Sequence, residues 1–158
     1  MFAPAVHLPI WGSILQVGLC FAAAETILGA RLAIFFGVLG HFVATMAGRF
    51  FLWLGPKVIF GLPAWIAHVH DNGPSAATIT LGMILAWKVR SWLLAAGILI
   101  FVVSESFVLP GLTAHEHIVA ICFATLSYFV WQNIERIRNA MQRRKSTTHK
   151  STFTPAAN

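Results

Sequence analysis

The sequence predicts an all-α, multi-pass membrane bundle of about five helices, and three observations predict it. Hydrophobic residues fill 58% of the 158 positions and charged residues only 10%, where soluble domains carry roughly 25% charged residues. The ionisable side chains leave long gaps: no Asp, Glu, Lys or Arg lies between Arg31 and Arg49, Asp71 and Lys88, or Arg90 and Glu105, nor from His117 to Glu135. These gaps also lack the polar face that a helix of a soluble core would show.

The first apolar segment runs from about Pro9 to Ile27. The second runs from Leu32 to Gly48, with a continuation through Phe50-Phe51-Leu52-Trp53-Leu54. The stretch from Gly55 to Gly73 holds Pro56, Pro63, Trp65 and Asp71 and suits an interfacial or re-entrant connection. The third helix is expected over Pro74 to Trp87, the fourth over Trp92 to Leu109 and the fifth over His117 to Gln132. Small residues repeat at intervals of four, Gly40, Ala44 and Gly48 in the second helix and Thr78, Gly82 and Ala86 in the third. That spacing gives each helix one face on which backbones can approach closely. Residues 1–135 thus read as the transmembrane domain and 136–158 as a basic, disordered tail.

Charge orients the segments. Of eleven basic residues, six follow the last apolar run: Arg136, Arg138, Arg143, Arg144, Lys145 and Lys150. The positive-inside rule puts that tail in the cytoplasm, against anionic lipid headgroups. Lys88, Arg90 and Arg31 then fall on the inner side, while Arg49 and Lys57 dissent on the outer one. The expectation is a plasma-membrane protein with its N-terminus outside and its C-terminus inside. The net charge of +6 does not point to nucleic acid, because no fold for binding it is present. Cys20 and Cys122 sit in apolar runs and read as small buried hydrophobes. No basic region precedes the first apolar stretch, so no cleavable signal peptide is expected.

The third helix is where chemistry is expected. Asp71-Asn72-Gly73-Pro74-Ser75-Ala76 is a turn leading into a helix start. The apolar run that follows spans roughly 18 Å at 1.5 Å per residue, against about 30 Å of hydrocarbon. With Lys88 and Arg90 holding the inner end, Ser75 is expected below the outer membrane surface, where irregular backbone requires protein or water around it. His117, at the outer start of the fifth helix, falls on the same side. A neutral imidazole there can take the serine proton during attack on a carbonyl and return it to the leaving amine.

Gly73-Pro74-Ser75-Ala76 resembles the Gly-X-Ser-Gly of the rhomboid proteases, in which the serine begins a short helix. His117-Ile118-Val119-Ala120-Ile121-Cys122-Phe123-Ala124 is similar to the rhomboid His-x-x-Gly-x-x-x-Gly helix, with alanine at both glycine positions. Glu25-Thr26-Ile27-Leu28-Gly29 resembles the Glu-x-x-Leu-Gly that closes a rhomboid helix on the cytoplasmic side. The resemblance covers roughly residues 10 to 135. It implies cleavage in or near transmembrane segments of other proteins by a Ser–His dyad, with Ser75 as nucleophile, His117 as base and no cofactor. It also implies a further helix ahead of the first segment; this chain begins after it, and the expectation is either a misassigned start or a divergent, reduced form. The family's His-x-x-x-Asn has no counterpart near Trp11 to Gln16, which leaves Asn72, the Ser75 amide and Gln16 as candidate oxyanion donors. An alternative is a catalytically silent relative that binds membrane partners.

A competing constellation is His68-Val69-His70-Asp71 with His115-Glu116-His117, both expected in outer loops. Imidazoles and carboxylates in threes and fours bind zinc, copper or nickel, so His68, His70, His115 and His117 would serve a membrane metal-binding or transport protein. His41 is expected to be satisfied by a neighbouring helix.

Overall fold

A computed structural model describes residues 10–57, 61–63, 65–66, 75–108 and 111–151. The chain divides into two compact units, Met1–Thr125 and Leu126–Asn158. Five helices follow in order, α1 Ile10–Leu28, α2 Ala30–Leu54, α3 Ser75–Lys88, α4 Trp92–Val108 and α5 Leu112–Ser151, and no strand occurs among the described residues. Two of them, α2 and the Leu112–Gln142 part of α5, are long and apolar enough to cross a membrane.

Local chemistry sets the joints of the first unit. Gly29, alone between α1 and α2, has φ 85° and ψ 151°, a region that glycine occupies almost exclusively. Its amide donates to Glu25 O and its carbonyl accepts from Ala33 N, so one residue closes one helix and opens the next. Between α3 and α4, Arg90 takes φ 56°. The Ser91 amide donates to Ala86 O and the Arg90 amide to Trp87 O, a Schellman stop. Ser91 then caps α4 through its Oγ, which accepts from the Leu94 amide.

Neighbours across each joint show the helix directions. Gly37 on α2 meets Phe21 on α1, and Gly82 on α3 meets Ile98 on α4. Gly37 and Gly40 of α2 meet Leu81 and Thr80 of α3 in reversed order, while Ser75 and Trp87 of α3 pair with His117 and Thr125 of α5 in the same order. Successive helices therefore alternate in direction. The late turns of α2, the start of α3, the last turn of α4 and the start of α5 share one end. Arg31, Lys88 and Arg90 lie at the other.

α3 is the axis of this unit. Ala76 to Leu81 and Met83 to Ala86 are all buried, in contact with α1, α2 and α4. The small-residue face of α2 is built as expected: Gly40, Ala44 and Gly48 are buried. A Cβ on Gly40 would stand 2.3 Å from Thr80 Oγ1. Thr78 and Ala86 are buried too, but the α3 residue that enters the Gly40 notch is Thr80 rather than one of the Thr78–Gly82–Ala86 set. The outer surface is the inverse of a soluble one. Leu93 is 88% exposed, Phe107 82% and Trp53 79%, and on α4 only Ala95 and Val102 are buried. Apolar surface on this scale marks contact with lipid or a partner.

Two boundaries depart from expectation. α5 begins at Leu112, right after Pro110-Gly111, rather than at His117, and it runs helical to Ser151 where the basic composition predicts a disordered tail. No Gly or Pro interrupts residues 112–151, and Glu135, Arg136, Arg138, Ala140, Met141 and Gln142 are good helix formers. In the second unit, Gln132 Nε2 donates to the Tyr128 hydroxyl, and Arg136 and Arg138 are exposed.

Candidate functional site

Ser75 is the first residue of α3, so its position is set by the buried helix it begins. It is half-buried, its carbonyl accepts from Thr78 Oγ1 at 2.7 Å, and its Oγ lies 2.9 Å from His117 Nε2. His117 is on the second turn of α5 and is 3% exposed. The pairing of hydroxyl and imidazole that the topology predicts is thus present across α3 and α5.

Sequence reasoning missed the third member. His117 Nδ1 lies 2.5 Å from Glu105 Oε2. The fourth helix expected from the sequence contains Glu105, but nothing there gives it a partner; in the structure α4 carries it in the last turn. A signal was available: Glu105 is the sole acid in α4, and an ionisable residue within an apolar span demands a partner. The nearer acid in sequence, Glu116, faces elsewhere. It is 3% exposed on the α2 side of α5, where a Cβ on Gly48 would meet its Oε1 at 2.8 Å.

The other candidates separate. Gln16 is exposed on α1, and its side-chain amide makes no hydrogen bond among the described residues. Asn72 lies outside the described residues, as do His68, His70 and Asp71. His115 and His117 are helical rather than in a loop. At about 100° per residue the two rings diverge, and His115 Nδ1 bonds Gly111 O at 2.9 Å while His117 turns to Ser75 and Glu105. They do not form a shared ligand pair, and among the described residues no three His, Cys, Asp or Glu gather into a metal cluster. His41 also departs from expectation. Its Nδ1 and the Oγ1 of Thr45, one turn later, are buried with no hydrogen-bond partner among the described residues.

Chemically, a hydroxyl bonded to one ring nitrogen and a carboxylate bonded to the other is an arrangement that activates an oxygen nucleophile. No family model, no curated protein and no solved structure matches the chain.

Proposed function

We propose that this chain is a rhomboid-like intramembrane serine protease in which Ser75 attacks a peptide carbonyl in or near a transmembrane segment and His117 moves the proton. The observation that carries the reading is the 2.9 Å contact between Ser75 Oγ and His117 Nε2, made by residues from separate helices whose order and spacing resemble the rhomboid pattern. In this reading Nε2 accepts the hydroxyl proton as Oγ bonds to the carbonyl carbon. It then gives that proton to the leaving amine and activates water to release the acyl group. The first-turn amides of a helix lack intrahelical partners, so the start of α3 supplies donors for the oxyanion, with Asn72 as a further candidate.

The bilayer assignment draws on the two spanning helices, the exposed apolar side chains and the separation of Arg31, Lys88 and Arg90 from the serine end. The proposed topology is N-terminus outside and C-terminus cytoplasmic in the plasma membrane, with the basic stretch after Glu135 against anionic headgroups. The reaction needs no cofactor.

The test is a fluorophosphonate label on purified protein in detergent or nanodiscs. Wild type takes one label, Ser75→Ala takes none, and His117→Ala slows labelling by about 10²- to 10⁴-fold. Equal labelling of wild type and Ser75→Ala, or no label on wild type, overturns the reading.

A further inference from the structure

We propose that Glu105 is a positioning residue for His117, so that this site operates as a serine–histidine–glutamate triad and not as a dyad. The proposal rests on the hydrolase reading and adds to it a role for the acid of α4.

A carboxylate among apolar helices is costly unless a hydrogen-bonding partner compensates it. The Glu105 side chain is 17% exposed, and its Oε2 is 2.5 Å from His117 Nδ1. An ionised carboxylate only accepts, so in the neutral ring Nδ1 carries the proton and donates it. That choice leaves the Nε2 lone pair facing Ser75 Oγ at 2.9 Å, which is the tautomer a general base requires. Neighbouring groups do not offer the ring the same service. The Ser106 hydroxyl donates to Val102 O within its own helix, and Glu116 stands on the Gly48 side of α5.

The proton balance is simple. As Oγ bonds to the carbonyl carbon, its proton passes to Nε2, and the imidazolium that forms lies between the tetrahedral adduct and the Glu105 carboxylate. Glu105 stays ionised and holds the ring in place. The proton on Nε2 then leaves with the amine.

Two measurements test this, one independent of turnover. In ¹⁵N-histidine spectra of Ser75→Ala, the His117 ring is expected as the Nδ1–H tautomer. Glu105→Gln and Glu105→Ala are expected to lose that single form, and Glu105→Asp to keep it. In the fluorophosphonate assay Glu105→Gln and Glu105→Ala are expected to slow labelling by about 10³- to 10⁴-fold, with Glu105→Asp recovering part of the loss and thermal unfolding showing all three folded. A wild-type labelling rate in Glu105→Gln and Glu105→Ala, or a spectrum unchanged by both, overturns the proposal. Failure of wild type to label removes the hydrolase reading, and the nitrogen spectra then decide by themselves whether Glu105 sets the ring.

Discussion

At the scale of the residue, the balance between backbone strain and helix propensity separates glycines that look alike in the sequence. Gly29 has open space around its Cα but a φ of 85°, so Gly29→Ala is expected to cost about 1–3 kcal/mol purely through backbone strain. Gly97 has equally open space with no such φ, and Gly97→Ala is expected to be neutral or stabilising by up to about 1 kcal/mol from helix propensity. Reversible unfolding in mixed detergent micelles, read by tryptophan fluorescence, checks both signs. Ser75 and His117 were legible because Ser75 follows turn chemistry at the start of α3 and His117 falls in the second turn of α5, where a charge-free run begins. Glu105 was not, because its role depends on a register between α4 and α5 that no local pattern encodes. The sequence shows an acid at the border of a charge-free run, and only the last turn of α4 decides that it faces inward.

At the scale of the element, α2 and α3 meet where backbone replaces side chain. Thr80 is fully buried, donates to Ala76 O at 2.8 Å, and so cannot swing aside from an added Cβ on Gly40. Gly40→Ala is therefore expected to destabilise by about 1–3 kcal/mol, in the same unfolding measurement, and to slow fluorophosphonate labelling, because α3 carries Ser75. The repeat Gly40–Ala44–Gly48 announced this face, since small residues at intervals of four have few other uses in an apolar helix. The residue received by the notch was hidden, because the short α3 is buried all round and its composition favours no side. The ends of α5 differ from expectation for a related reason: apolarity marks where a helix leaves hydrocarbon, whereas Gly and Pro mark where it stops.

At the scale of the whole molecule, the alternation of helix directions gathers Ser75, Glu105 and His117 at one end of the first unit and Arg31, Lys88 and Arg90 at the other. In cells the proposed topology predicts that a cysteine replacing Lys57 reacts with an impermeant maleimide from outside, and that one replacing Arg90 reacts only after permeabilisation, in a background with Cys20 and Cys122 replaced by alanine. The reverse pattern would invert the orientation, and reaction of both from outside would remove the multi-pass reading. The five-helix order was readable because hydrophobic length and charge gaps are local properties of the sequence. The site was readable only as a pair, because long-range register is a property of packing.

The burial of α3 from Ala76 to Ala86, broken only at Gly82, has a mechanical corollary. A rod clamped on every side delivers its tip to an address measured in whole residues, each counting about 1.5 Å and 100° of turn. The hydroxyl at that tip has no slack with which to absorb an insertion or deletion between Thr78 and Ala86. Evolution of this chain can exchange the side chains that grip the rod, but it cannot cheaply alter its length.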